Sequence, residues 1–444
     1  MAAAGRAGAV ASRHLTAFDV PPPALSHPGQ RLRLGLVCLM ALAASLPIAI
    51  ISLGKLVLFV FALGVFAIAA LRGKADFGVA GLRLLRSPFV VLLAMALFGL
   101  SLAWTEADAN TTLLALVKHG KLLVIVLLAS LIRTPVEAKV AFFAFALGQF
   151  GLLALSWLLA AGLPVPWLRT SVGGVVFSSY LDQGIIFATS AAVFWHLQAL
   201  ALPRPLLPRW LAVAFVVGAL VSVFLVLIGR TAFVIAAALL GLATVWALPV
   251  RLRLTAFVGA PLLVMGVLYL SWSHLPSRVS MIAVEAQKFS EKADVSTSSG
   301  WRLNAWQRSV QAIGEEPLLG HGVGGWTSAV KRLQGPNGTE VFGAGLLSNP
   351  HQEYLLWGVE LGVGGVLLLL LLHWSLARDF SRFPQPLYRA GVSVVVAMAI
   401  ACLFNSSLYD GLIGDYFCIV LGLLLGLGLA LRNESPAMGH PATS

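Results

Sequence analysis

Charge is scarce in this 444-residue chain: Asp, Glu, Lys and Arg make up 11% of it, against 59% hydrophobic residues. A string of soluble domains is excluded by that ratio. Cysteine is scarcer still. Cys38, Cys402 and Cys418 each sit inside an apolar block without CxxC spacing, which excludes a disulfide framework and a thiolate metal site and leaves them as lipid-facing or core filler. HExxH, GxSxG and Walker sequences are absent, as is any tight pair of outer carboxylates able to cage a divalent ion. Gly320-His321-Gly322-Val323-Gly324-Gly325 has no strand pattern before it and no helix signal directly after it, so it is not a dinucleotide fingerprint. Neither nucleotide, metal nor other cofactor is expected.

What the chain has in abundance is apolar runs of about 17 to 25 residues, the length that crosses a bilayer as helix; the roughly ten-residue alternation of a membrane barrel is missing. The expected architecture is an all-α polytopic membrane protein of about twelve transmembrane helices. Its spans lie near 34–53, 55–71, 88–104, 113–132, 138–162, 180–201, 210–228, 231–248, 254–272, 354–376, 388–406 and 412–431. The net charge of +12 would suggest nucleic acid in a soluble protein. Here location decides. Eighteen of the thirty Lys and Arg fall on the side of the N-terminus, whereas the short connections and span ends of the other side hold Lys55, Lys118, Lys121, Arg169 and Arg230. Both termini are therefore expected in the cytoplasm, and no nucleic-acid partner is implied. The organisation that follows is a cytoplasmic tail over 1–33, spans one to nine over 34–272, a long outer loop domain over 273–350, spans ten to twelve over 351–431, and a cytoplasmic tail over 432–444. The N-terminal tail, rich in Ala, Gly and Pro, is read as disordered and as uncleaved.

Ionisable side chains at or inside the hydrocarbon boundary carry the functional information, since each costs at least about 2.5 to 3.5 kcal/mol at the bilayer centre. Arg230 occupies the turn Gly229-Arg230-Thr231 between two spans and reads as an interfacial anchor or, better, as an anion clamp whose planar fork matches phosphate oxygens. His351 follows Ser348-Asn349-Pro350, where Ser348 or Asn349 would cap a helix and Pro350 would take its first position. That places the ring in the first helical turn, where the dipole favours the neutral imidazole of a general base. Glu353 in the same turn reads as a complement to the dipole or as an orienting partner. Arg302 lies four residues before Trp306 on one face of an amphipathic helix over Trp301–Ile313, with Arg308 further along; a solvated charged face is the alternative for both. The region from Pro317 through Gly325 is expected to be a flexible turn. Lys118, His119 and Lys121 either line an anionic groove or snorkel outward to Glu106 and Asp108. Arg169, Asp182 and Gln183 are weaker candidates, and Asp410 reads first as a turn residue.

Gly229-Arg230-Thr231, the Arg302-to-Trp306 element leading through Pro317 to Gly320-x-Gly322, and His351-Gln352-Glu353-Tyr354-Leu355 followed by Glu360-Leu361-Gly362 together resemble the O-antigen ligases. Those belong to a superfamily that also holds O-antigen polymerases and protein O-oligosaccharyltransferases. Gln352 departs from the Asn that more often follows the histidine. The resemblance implies a GT-C-like membrane fold with a long periplasmic loop between spans nine and ten, in the bacterial inner membrane. It also implies a metal-independent, inverting glycosyltransferase that moves O-antigen from an undecaprenyl diphosphate carrier to lipid A-core, at a site facing the periplasm. By that likeness Arg230 and Arg302 bind diphosphate, His351 is the base, and Asp410 assists; Lys118, His119, Lys121, Arg169 and Arg308 are further substrate-binding candidates. A polymerase or protein glycosylase shares these features. A transporter or lipid flippase is the rival of a different class, disfavoured because transporters place charges near the midplane and here they gather at one face.

Overall fold

A computed structural model describes residues 28–71, 79–163, 173–177, 179–200, 206–227, 229–255, 259, 298–334 and 349–434. Among these the chain is helical without strands. The N-terminal tail up to residue 27, most of the expected span 254–272, the loop portions 273–297 and 335–348, and the tail beyond 434 lie outside the described residues, as does Arg169.

Along the chain run α1 (Pro28–Ala43), α2 (Ile48–Leu71), α3 (Val79–Leu82), α4 (Ser87–Leu100), α5 (Ala109–Gly120), α6 (Leu123–Leu131), α7 (Pro135–Ala160) and α8 (Tyr180–Leu197). After them come α9 (Arg209–Val221), α10 (Arg230–Ala247), α11 (Ser298–Glu315), α12 (Trp326–Gln334), α13 (Glu353–Phe380), α14 (Gln385–Phe404) and α15 (Gly411–Glu434). Among the described residues eight helical stretches are long and apolar enough to cross a membrane, with Ser87–Ala103 shorter but similarly apolar. The protein is a polytopic membrane protein. Starts and stops follow local chemistry: Asp108 caps α5 by accepting from the amides of Asn110 and Thr111, Thr134 caps α7 with Pro135 at its first position, and Ser179 caps α8.

The first expected boundary is displaced. Instead of one span over 34–53, α1 ends at Ala43 and α2 begins at Ile48, because Pro47 lacks an amide hydrogen and pushes the preceding residue out of helical backbone. Lys55 consequently lies two turns inside α2 rather than in a connection, where it pairs with Asp415 of α15 at 2.7 Å. That pairing offsets much of the cost of holding either charge in an apolar bundle.

At the centre stands α15, buried along nearly its whole apolar length, so a helix that is apolar on nearly all faces has protein rather than lipid around it. It packs on α6, α7, α8 and α14. Gly422 allows the close approach: a Cβ there would sit 3.0 Å from the Ile125 carbonyl oxygen and 2.9 Å from Leu128 Cβ. α8 is buried between α9, α10 and α14 and tolerates polar side chains because they satisfy one another. Ser190 donates to Gln149 at 3.0 Å and shares a 2.7 Å bond with Tyr416, while Gln149 donates to Ser45 at 2.6 Å.

α13 is broken one third of the way along. Leu361 and Gly362 leave helical backbone, Gly362 with φ of 66°. The freed groups are claimed by the segment between α11 and α12: His321 N donates to Val359 O at 2.8 Å, Gly322 N to Glu360 O at 3.0 Å, and Val363 N to Pro317 O at 2.8 Å. Irregular backbone at such a depth survives only when another part of the protein satisfies it. The turn expected to be flexible is thus packed and hydrogen-bonded; His321 is buried and donates from Nε2 to Ala312 O at 2.9 Å. Replacing Gly362 by alanine would put a methyl 2.5 Å from Pro317 O in a left-handed backbone and is expected to destabilise the protein by about 1–3 kcal/mol, read as earlier thermal unfolding in detergent.

Candidate functional site

The ends of several helices meet at one end of the bundle. The starts of α8 and α10 lie side by side, a Cβ at Gly229 being 3.6 Å from Tyr180 O. α9 runs into a π-helical stretch over Ser222–Leu227 just before that turn, a widening that often accompanies functional sites. The segment before α13, the loop from α14 to α15 and the start of α11 complete the ring, joined through His351, Asn405 and Trp301.

His351 does not occupy a helical turn. Gln352 is the N-cap, its side chain accepting from Leu355 N at 2.6 Å, and α13 begins at Glu353. Asn349 does not cap the helix; its Oδ1 accepts from His351 N at 2.9 Å, and Ser348 lies outside the described residues. The side chain at the departure from the family pattern, Gln352, therefore has a structural task. His351 itself takes φ of 51°, and no other non-glycine among the described residues has positive φ; such strained backbone persists where the surroundings over-determine it. They do so here. Nδ1 lies 2.7 Å from Asn405 Oδ1, the Trp301 ring meets the imidazole edge to face at 5.1 Å, and Trp306 Nε1 donates to Pro350 O at 3.1 Å. With a carbonyl oxygen opposite it, Nδ1 carries the hydrogen, so the lone pair is on Nε2. The asparagine thus fixes which ring nitrogen carries the hydrogen.

Asn405 was not among the residues singled out by sequence, 54 positions away and with no signal beyond a polar end to an apolar helix. Its role is positioning, and it is testable. Asn405→Leu is expected to lower any His351-dependent turnover by about tenfold or more, while Asn405→Asp should move the acidic limb of the pH–rate profile upward, because a carboxylate at Nδ1 stabilises imidazolium and a base must be neutral to act. A pH profile unchanged in both variants would contradict the assignment.

Glu353 neither merely complements a dipole nor faces an open site. It is fully buried, accepting from Trp357 Nε1 at 2.9 Å and from the amides of Leu408 and Tyr409 at 2.9 and 3.1 Å. Those bonds tie the α14–α15 loop to the start of α13 and so hold Asn405 and Asp410 beside His351.

Arg302 and Arg230 come close enough to repel one another, with Tyr180 near Arg302. Burial draws the Arg302 guanidinium below its usual value, Arg230 adds to that and Tyr180 opposes it; the group remains a cation all the same. Its Nε is buried without a hydrogen-bond partner, and among the described residues neither arginine forms an ion pair. Unneutralised guanidinium held this way is a ready anion site. Arg308 differs: it donates to Leu333 O and Gln311 Oε1, strapping α11 to α12.

The cluster on α5 turns inward instead of snorkelling. Glu106 is taken by Arg332 and His321, which hold its carboxyl below the usual range although burial alone would raise it, and Asp108 is a helix cap. His119 is stacked on Phe98 and pairs with Glu360 at 2.7 Å, so its place is structural. Lys121, buried, donates to the carbonyls of Tyr409 and Asp410 at 3.2 and 2.6 Å. Lys118 lies over the Tyr409 ring at 4.0 Å. Burial pushes the Asp410 carboxyl up, while His351, Lys121 and Lys118 pull it back. Asp410 lies in the turn before α15, as the sequence reading has it, and its charge is felt by Asp182. Among the described residues no group of three or more His, Cys, Asp or Glu is arranged to hold a metal ion.

These observations define a polytopic membrane protein with two arginines that form no ion pair among the described residues and an oriented histidine at one end of its helices. Residues 215–370 match the family model described as O-antigen ligase, a stretch that contains Arg230, Arg302 and His351; the match supports an O-antigen ligase-like protein of that superfamily. Lys118, Lys121 and Asp410 lie outside the matched region. No curated protein matches the chain.

Proposed function

We propose that the protein is a metal-independent, inverting glycosyltransferase that transfers O-antigen polysaccharide from undecaprenyl diphosphate to a sugar hydroxyl of lipid A-core. In this reading it lies in the bacterial inner membrane with both termini cytoplasmic, about twelve spans in a GT-C-like arrangement, and the cleft facing the periplasm. The observation that supports the reading is a pair of guanidinium groups, without an ion pair among the described residues, on elements that meet the segment of a histidine oriented by Asn405. A diphosphate at the lipid boundary supplies the charge that Arg230 and Arg302 lack. His351 Nε2 takes the proton of the acceptor hydroxyl, the oxygen attacks the anomeric carbon from the opposite face, and the bond from that carbon to phosphate breaks. Its electron pair departs with the diphosphate, whose developing charge the arginines stabilise. Leaving-group energy stored in the donor drives the step, so ATP is not required. Asp410, kept near His351 by the Glu353 bonds, assists by favouring the imidazolium as it forms; Lys118 extends the cationic wall.

Purified protein given lipid-linked O-antigen and lipid A-core is expected to yield the joined product by mass spectrometry. Glycan lengthened on the carrier instead would assign a polymerase, modification of a protein serine would assign a protein glycosylase, and movement of the lipid without covalent product would refute transfer.

A further inference from the structure

The turn between α11 and α12 directs its backbone inward and its side chains outward. Pro317 has no amide hydrogen, and its carbonyl accepts from Val363 N at 2.8 Å; Gly320 N donates to Glu316 O at 3.0 Å, and Leu319 O accepts from Trp104 Nε1 at 3.2 Å. A surface loop in water leaves such groups to solvent. Here the protein satisfies them, while Leu318 is 84% and Leu319 57% exposed. Satisfied backbone beneath bare leucine is what hydrocarbon requires and water does not.

The height of the turn agrees. Asp379, near the far end of α13, accepts from the amides of Arg86 and Ser87 at the start of α4 at 2.7 to 2.9 Å, so the two helices share a base level, which the exposed Arg86 and Arg382 mark as a water boundary. From that level α4 with the 3-10 turn that follows it, Ser101–Ala103, and α13 back to Val363 each rise about 25 Å. The turn is bonded to both at that height. Since the hydrocarbon layer is about 30 Å thick, the two leucines lie within it, near its far edge. Below them the outward faces of the same helices are bare and apolar, at Leu92 and Leu100 of α4 and at Val363, Leu367 and Leu370 of α13, so Leu318 and Leu319 extend a lipid-facing wall.

We propose that the Pro317–Gly320 turn is a membrane anchor, with Leu318 and Leu319 among the acyl chains of the leaflet on the cleft side. It fixes the end of α11, the helix that carries Arg302, at a set height in the bilayer. α14 runs from the Asp379 end to Asn405 beside His351, which puts the cleft and the anchor at the same end. Only the name of that leaflet, the outer one, rests on the orientation proposed above.

Spin labels at Leu318→Cys and at Leu319→Cys test this independently of glycosyl transfer, in the full chain carrying Cys38→Ala and held in nanodiscs of phosphatidylethanolamine and phosphatidylglycerol. Cys402 and Cys418 are fully buried and do not compete for label. Collisions with molecular oxygen, which dissolves in hydrocarbon, are compared with collisions with a water-soluble nickel chelate. Gln307→Cys, at an exposed position of α11, is the water reference and Leu367→Cys the lipid reference. At 318 and 319 the nickel collisions are expected to fall about tenfold or more below those at 307, as a polar reagent is excluded from hydrocarbon, while oxygen collisions match those at 367. Nickel collisions as frequent as at 307 would put the turn in water. Labels that neither reagent reaches would mean that another protein surface, such as a second copy of the chain, covers the leucines. Either result would overturn the proposal.

Discussion

Alanine at position 351 is expected to lower glycan transfer by about 100- to 10,000-fold, the range a positioned general base contributes, while donor binding stays close to that of the unaltered protein. The split follows from geometry. His351 meets Asn405 and Trp301; in the proposed mechanism it serves the acceptor hydroxyl and the arginines serve the diphosphate, so removing it takes away proton transfer and leaves the arginines in place. Turnover and donor affinity measured on the same preparation check this. Transfer at the original rate would remove His351 from the mechanism. A parallel loss of donor affinity would show that the imidazole grips the carrier rather than activating the acceptor.

The second large effect concerns the arginines. Arg302→Ala is expected to reduce transfer by about 100- to 1,000-fold, the loss that accompanies removal of one donor to developing charge, and unlike the histidine variant it should weaken donor binding too. Arg230→Ala should behave alike and more mildly, because Arg230 is exposed whereas Arg302 is held partly buried with an orphaned Nε. Charge alone does not suffice in this account. Arg230→Lys should remain impaired, since an ammonium lacks the fork that engages two phosphate oxygens at once. Full activity in Arg230→Lys would show that only a diffuse positive field is needed.

The membrane class is legible in the sequence because an apolar run of spanning length is a local signal, and the arginines and histidine draw attention for a similar reason, as charge where lipid would reject it. Partners are another matter. His351 depends on Asn405 from 54 residues downstream, and Lys55 on Asp415 from 360 residues away, and no spacing rule reports such distances. The α5 cluster was ambiguous for the same reason, since whether Lys118 and Lys121 turn outward or inward is decided by the Tyr409–Asp410 carbonyls and ring on a distant loop. Pro350 misled in a different way. A proline following Asn looked like a helix start, but the strained backbone of His351 inserts a turn and passes the cap to Gln352. The glycine-rich segment after Pro317 read as flexible because glycine count cannot reveal that a broken helix supplies its hydrogen-bond partners.

The account turns on where the carrier's diphosphate sits. A structure of the protein with undecaprenyl diphosphate bound should place phosphate oxygens within about 3 Å of the Arg230 and Arg302 guanidinium nitrogens, with Nε2 of His351 facing the open space beside the phosphate that would carry the sugar. Phosphates bound away from both arginines, or on the side of the bundle opposite His351, would contradict it.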